Sequence, residues 1–147
     1  MDRGTAVAVT AVAGGVIALQ APINGTLGRS IGSLQAAFVS FFIGTLALLA
    51  LAALAKGGLG TISGARDVSW HYLTGGLLGA IYVTTVLISV RTLGAGGVTA
   101  ATIAGQLAMS VAIDQFGWLG VEKDPITIGR VAGLALLAAG VVLVVRD

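Results

Sequence analysis

The sequence predicts an all-α, polytopic membrane protein with five transmembrane helices, forming a single transmembrane domain over residues 1–147. The chain is 56% hydrophobic and only 10% charged, whereas soluble domains are about 25% charged. Its mean hydropathy is +1.02. A soluble domain of about 150 residues buries only about 70% of its chain surface. So much apolar surface therefore indicates that lipid is the solvent.

Five apolar runs divide the chain, and a helix needs about 20 such residues to cross about 30 Å of hydrocarbon. The breaks between them are clusters of glycine, proline and charged residues, which belong in water or in the lipid headgroups. Boundaries predicted in this way are accurate to about two to four residues. The predicted spans are residues 5–23, 34–55, 70–90, 98–116 and 126–145, and the predicted loops are 24–33, 56–69, 91–97 and 117–125.

Five crossings place the two termini on opposite sides of the membrane. The N-terminal side then carries Arg3, Lys56, Arg66, Lys123 and Arg130. The opposite side carries Arg29, Arg91 and Arg146. Cytoplasmic loops are enriched in lysine and arginine, so this distribution favours a cytoplasmic N-terminus. Because the difference is small, insertion in both orientations is a hypothesis, and it predicts an antiparallel homodimer of ten helices with the inverted repeat common in transporters.

The composition also argues against several kinds of chemistry. The chain has no cysteine and a single histidine, so neither a thiolate nor a histidine-rich metal site is expected. The predicted spans hold no pair of carboxylates, and no glycine-rich loop is followed by a lysine that would cradle a phosphate. The net charge of +2 is scattered among apolar runs, unlike a nucleic-acid patch. We therefore expect no enzymatic activity, no metal, no cofactor and no nucleic-acid partner.

The fourth predicted span carries a stripe of polar residues at spacings of three and four: Thr99, Thr102, Gln106, Ser110 and Asp114. They fall within an arc of about 120°. Polar groups in hydrocarbon are costly, so this stripe should face protein or a wet cavity. Hydrogen bonding between helices would also explain the hydroxyl groups, while Gln106 and Ser110 are candidates to bind a solute. Asp114, the only acid within a span, either stays ionised at the interface or serves as a coupling or charge-recognition group.

The first predicted span ends in a second polar cluster around Pro22. Gln20 and Asn24 are four residues apart and share one helix face. Proline has no amide hydrogen, so the carbonyl of Ala18 loses its helical partner. One interpretation is a kink whose free carbonyl and two amide side chains bind a polar solute. The other is that Pro22 ends the helix and that Asn24 begins the loop.

The third predicted span combines small residues with one deep aromatic residue. Gly75 and Gly79 form a pair that would let another helix approach closely. Tyr82 lies too deep for an interfacial belt, so its hydroxyl needs a partner inside the bundle and is a candidate to line a cavity. The fifth predicted span has a similar packing face, formed by Gly129, Gly133 and Gly140.

Several strings in the chain resemble one family of membrane proteins, the five-helix YdcZ-like branch of the drug/metabolite transporter superfamily. The strings occur in order over nearly the whole chain. They are Ala18-Leu-Gln-Ala-Pro-Ile-Asn-Gly-Thr-Leu-Gly28, Ser40-Phe-Phe-Ile-Gly-Thr-Leu46, Trp70 with Gly75-Gly-Leu-Leu-Gly79, and Gly105-Gln106 with Ile113-Asp-Gln-Phe-Gly117. The resemblance implies a multi-pass protein of the bacterial inner membrane. It also implies assembly as a homodimer or with a sister subunit.

Together these features predict a secondary transporter that moves a small polar metabolite or drug by alternating access, as a dimer. Its solute path would be lined by Gln20, Asn24, Tyr82, Gln106 and Ser110. The alternative is a non-transporting scaffold or partner subunit whose glycine-rich helix faces recruit another protein.

Overall fold

Four long helices make up most of the computed structural model, which describes residues 1–146. They are α1 (Arg3–Ile31), α2 (Ser33–Leu54), α3 (Gly75–Phe116) and α4 (Ile128–Arg146), with 3₁₀ helices at Gly58–Asp67, Trp70–Thr74 and Trp118–Gly120. Each long helix contains a stretch that is long and apolar enough to cross a membrane. The prediction of an all-α membrane protein is confirmed.

The structure shows four candidate spans where the sequence predicts five. The difference lies in the predicted loop 91–97, which is helical except at Gly94, where φ is 67° and ψ is 172°. Such a conformation is readily adopted only by glycine. The glycines around it predict a loop by composition, but glycine is frequent within membrane helices. The 42 residues of α3 would extend about 63 Å if fully helical, roughly twice the thickness of the hydrocarbon.

The first helix also extends further than expected. It continues through Pro22 to Ile31, and Gly32 alone separates it from α2. The predicted loop 24–33 and the interpretation that Pro22 ends the helix are therefore wrong. Proline removes one backbone hydrogen bond, a loss that membrane helices tolerate where neighbouring helices compensate. The predicted span 70–90 begins differently too, because Trp70–Thr74 is a 3₁₀ helix that precedes α3.

The beginning of α1 is capped by Asp2. The hydroxyl and the backbone N–H of Thr5 both donate to the Asp2 carboxylate. These bonds, the side-chain one first, hold the pKa of Asp2 below its usual range. Because the pKa is lowered in the folded state, the cap stabilises the fold fully above the ordinary pKa of aspartate. This stabilisation is lost as the pH falls through the lowered pKa.

The chain divides into two compact units, residues 1–91 and the residues from Thr92 onward. In the first unit the buried core consists of Ala36 and Ala37 of α2 packed with Val83 and Leu87 of α3, and Leu27 of α1 lies against it. Small side chains on α2 let the helices approach closely. Most large apolar side chains elsewhere are exposed, as expected of a protein whose outer surface faces lipid.

Three glycines mark the closest helix approaches in the first unit. A Cβ atom at Gly25 would lie 3.0 Å from Val90 Cγ1, and one at Gly79 would lie 3.3 Å from Phe41 Cζ. A Cβ atom at Gly28 would lie 3.4 Å from the Arg91 guanidinium. Gly25 and Gly28, which sequence reasoning assigned to a loop, are thus buried packing positions within α1.

Arg91 fastens the first part of α3 to the turn between α1 and α2. Its Nη2 donates to the carbonyl oxygen of Gly28 at 2.8 Å and to the hydroxyl of Ser33 at 3.1 Å. The carbonyl oxygen of Gly28 also accepts from the backbone N–H of Gly32 at 3.0 Å, so Arg91 adds a second bond to it, and a cation near the C-terminal end of a helix interacts favourably with the helix dipole. Arg91 therefore caps the C-terminal end of α1 from another helix.

We expect Arg91→Ala to destabilise the first unit by about 1 kcal/mol, because the lost bonds involve a charged donor but lie where water or headgroups can replace them. The measurement is the thermal unfolding midpoint of the protein in detergent, followed by circular dichroism. Arg29→Ala is the matched control, since Arg29 is an exposed arginine in the last turn of α1. Equal midpoint shifts in the two variants would contradict the capping role.

Candidate functional site

Asn24 is the only buried polar or charged side chain among residues 1–146, with 5% of its surface exposed. Its Nδ2 donates to the hydroxyl of Ser40 on α2 at 3.0 Å. Pro22 lies two residues before Asn24, within α1. The bond to Ser40 fixes the orientation of the Asn24 amide and joins the last third of α1 to the first half of α2. Sequence reasoning singled out Asn24 but missed Ser40.

An open groove of about 660 Å³ runs along α1 beside Asn24. Gln20 and Asn24 are its polar lining residues, one helical turn apart on the same wall. Gln20 is half-buried. The remaining lining residues are apolar: Ala13, Val16, Ile17, Leu19 and Ile23. The structure thus brings together the two amides that the sequence predicted as a pair, next to a space that a small molecule can enter.

Tyr82 lies on α3 in the same unit, and 37% of its surface is exposed. Its neighbourhood includes Thr85, whose hydroxyl donates to the carbonyl oxygen of Ile81 at 2.9 Å, as is common for threonine within helices. Tyr82 does not line the groove beside Asn24. Its role in a solute path stays a prediction.

The predicted glycine faces differ in how they are covered. Gly79 packs against Phe41, whereas a Cβ atom at Gly75, Gly133 or Gly140 would have no described atom within 4 Å beyond its own local helix. At Gly129 the nearest such atom is Thr127 Oγ1, at 3.9 Å. The open glycines leave room for another helix, and their packing role stays a prediction.

The polar stripe of the fourth predicted span lies on the second part of α3. Gln106 and Ser110 are exposed, while Thr99, Thr102 and Asp114 are half-buried. These side chains belong to the second unit, and Gln20, Asn24 and Tyr82 belong to the first. The exposed Gln106 amide can hydrogen-bond a solute or a neighbouring chain, because an amide offers two donors and an acceptor.

Asp114 is paired with Arg130 of α4. Arg130 Nη1 lies 3.4 Å from Asp114 Oδ2, with 30% and 31% of the two side chains exposed. The other guanidinium nitrogen, Nη2, binds the carboxylate of Asp124, and Nη1 also donates to the Asp124 carbonyl oxygen at 3.2 Å. One arginine therefore serves two carboxylates, and Asp114 is not a free charge in this conformation.

Two further bonds fasten the loop between α3 and α4 to the end of α3. The backbone N–H of Asp124 donates to the carbonyl oxygen of Asp114 at 2.9 Å. The backbone N–H of Ile126 donates to Gln115 Oε1 at 2.6 Å. Sequence reasoning placed Arg130 near the start of the last span and Asp114 near the end of the previous one. Both residues therefore lie close to the same loop, and this closeness is the sequence signal from which the pair between Asp114 and Arg130 could have been predicted.

Long apolar helices, exposed apolar surfaces and a few well-placed polar side chains define this chain as a multi-pass helical membrane protein. No group of three potential metal ligands occurs in the part of the chain that the structure describes. The family model described as "Putative inner membrane exporter, YdcZ" matches residues 5–143. The chain therefore belongs to the YdcZ family of the drug/metabolite transporter superfamily, a family of multi-pass inner-membrane transporters and not a known enzyme family. No curated protein and no solved structure matches it.

Proposed function

We propose that the chain is one half of a dimeric secondary transporter that exports a small molecule by alternating access. Asn24 carries the proposal, since it is a buried amide held at a fixed orientation by Ser40 beside an open groove. A polar group inside a membrane protein is costly, and Asn24 keeps an acceptor and a second donor beyond its bond to Ser40, with which it can bind a solute. Gln20, Tyr82, Gln106 and Ser110 complete the proposed lining.

The proposed topology has five crossings. The break at Gly94 divides α3 into two helical stretches of 19 and 22 residues, counted from Gly75 to Leu93 and from Ala95 to Phe116. Each stretch spans about 28 to 33 Å, close to the thickness of the hydrocarbon. An odd number of crossings puts the termini on opposite sides, with the N-terminus proposed as cytoplasmic.

The proposed dimer is supported by what a single subunit leaves exposed. Gln106 and Ser110 are uncovered within an otherwise apolar helix, and exposure of such groups to lipid would cost free energy. A second copy in the antiparallel arrangement, or a sister subunit, would cover them and complete the path. Asp114, with Arg130 as its counter-ion, is the proposed coupling or charge-recognition group.

The test is transport by the purified protein in proteoliposomes, recorded on a solid-supported membrane during a screen of amino acids, amines and sugars. For a solute that gives a signal, Asn24→Ala and Gln106→Ala are each expected to reduce the rate at least tenfold. Leu136→Ala is the control, because Leu136 is an exposed apolar residue of α4 and should leave the rate unchanged. Transport at the wild-type rate in both polar variants would contradict this site.

A scaffold function is the second candidate, supported by the uncovered Gly133 and Gly140 on α4. Glycine faces of this kind let a partner helix approach closely. A scaffold would copurify with a fixed partner while moving no solute in proteoliposomes. Substitution of Gly133 by leucine would then release the partner without any effect on transport.

A further inference from the structure

The lining of the groove beside α1 contains no ionisable side chain. Five of its residues are apolar and two are amides. The charged side chains of the first unit lie elsewhere: Asp2, Arg3, Arg29, Lys56, Arg66, Asp67 and Arg91. An ion moved from water into such surroundings loses hydration that nothing in the wall replaces. The groove therefore disfavours both cations and anions.

The two amides nevertheless provide one well-defined polar point. Gln20 and Asn24 are separated by about 6 Å of helix rise on the same wall. Asn24 uses one N–H for Ser40, which leaves its carbonyl oxygen as an acceptor and its second N–H as a donor. Gln20 supplies a similar donor and acceptor. A ligand group that both donates and accepts, such as a primary amide or a hydroxyl, matches this pair.

The rest of the groove suits an apolar body. Val16, Ile17 and Leu19 extend the wall from Gln20 towards the N-terminus of α1, and each is more than half exposed. The space measures about 660 Å³ and is open along its length, because all of its lining residues belong to α1. These side chains face lipid, so an apolar chain lying against them replaces lipid without a loss of contacts, and the head group decides the affinity.

We propose that the groove binds uncharged amphiphiles, with a hydrogen-bonding head held by Gln20 and Asn24 and an apolar body along Val16 and Ile17. The inference rests on the proposed function and names the substrate class of that site. It separates neutral amphiphiles from lipophilic cations and from fatty carboxylates, which have the same apolar body but carry a charge where the wall offers only amides.

The test compares three tritiated probes of equal chain length, dodecanamide, dodecylammonium and dodecanoate. Binding to the full chain in nanodiscs is measured by scintillation proximity, with binding to empty nanodiscs subtracted to remove partition into lipid. We expect dodecanamide to bind at least tenfold more tightly than either charged probe. Gln20→Leu should weaken dodecanamide binding at least tenfold, whereas Gln35→Leu, which removes an exposed glutamine outside the groove, should not.

A gain of binding provides a second readout that misfolding cannot mimic. Gln20→Glu places a carboxylate on the wall, so dodecylammonium should bind at least tenfold more tightly to this variant than to the wild type. Equal binding of the three probes to the wild type would overturn the inference. So would the absence of specific dodecanamide binding, or dodecanamide binding that is unaffected by Gln20→Leu, because lipid or a second subunit would then fill the groove.

The substrate class and the transporter proposal can fail separately. Selective dodecanamide binding without transport of any solute supports the class and contradicts transport. Transport of a charged solute that depends on Asn24 and Gln106, without selective dodecanamide binding, supports transport and overturns the class.

Discussion

Arg130→Gln is expected to destabilise the second unit by about 2–3 kcal/mol and to open the loop between α3 and α4. The substitution removes the one cation that serves both Asp114 and Asp124. Breaking a fully buried ion pair costs about 3–5 kcal/mol, and partial exposure of these side chains lowers that figure. Asp114, at the end of an apolar helix, is left as an uncompensated charge, which raises the cost.

Hydrogen exchange of residues 117–127, measured by mass spectrometry on protein in nanodiscs, checks this prediction. Protection should fall in Arg130→Gln and should fall less in Asp124→Asn, which keeps the pair between Arg130 and Asp114. Adding Asp114→Asn to Arg130→Gln should restore part of the stability, because the unpaired charge is then gone. Unchanged protection in Arg130→Gln would contradict the role of Arg130 as the fastener of the loop.

Gly25→Leu is expected to have the largest effect on assembly of the first unit. A Cβ atom at this position already lies 3.0 Å from Val90 Cγ1, and leucine adds three further carbon atoms. Valine in a helix has one strongly preferred rotamer, so Val90 cannot swing aside without strain. Overpacking of this kind costs about 1–3 kcal/mol and sometimes more, and α1 would have to move away from α3.

The matched control is Gly15→Leu in the same helix, because a Cβ atom at Gly15 meets nothing within 4 Å. Leucine has a higher helix propensity than glycine, so this variant should be neutral or slightly more stable. Expression and monodispersity by fluorescence size-exclusion chromatography, followed by the unfolding midpoint, compare the two. A Gly25→Leu protein as stable as the Gly15→Leu protein would show that α1 and α3 do not approach closely at this point.

The apolar runs predicted a membrane protein because crossing the bilayer depends only on the length and hydrophobicity of a segment. About 20 apolar residues are enough, whatever the segment packs against. The end of the fourth predicted span at Phe116 and the loop that follows it also agree with the structure. There the glycine and the charges are accompanied by Pro125 and by acidic residues, which lipid excludes. Composition alone was sufficient at that boundary.

Glycine was the source of the wrong boundaries. Gly25, Gly28 and the glycines near Gly94 have the composition of a soluble loop, yet they lie within helices. In a membrane the missing side chain lets helices approach closely. This role is seen only from the residue that packs against the glycine, which is Val90 for Gly25 and Arg91 for Gly28. Such pairings join residues more than 60 positions apart, which periodicity within one helix cannot predict.

The candidate site was predicted in part for a similar reason. Gln20 and Asn24 share a face by spacing alone, and the structure places both beside one groove. Ser40 and Arg130, which fix Asn24 and Asp114, lie on other helices. Their contribution depends on how helices pack, so the partner of a polar residue was harder to predict than the residue itself.

The single-residue connection at Gly32 limits where the chain can accept inserted sequence. Gly32 has a φ of 96°, and a helix lies directly on either side of it. An antibody or protease could therefore bind an epitope tag or cleavage site inserted there only if α1 or α2 unwound. The segment from Lys56 to Ser69 is outside the α-helices and fully or partly exposed throughout. Accessibility mapping of the orientation should therefore use cleavage sites in that segment, where an antibody or protease can bind without disturbing the helices.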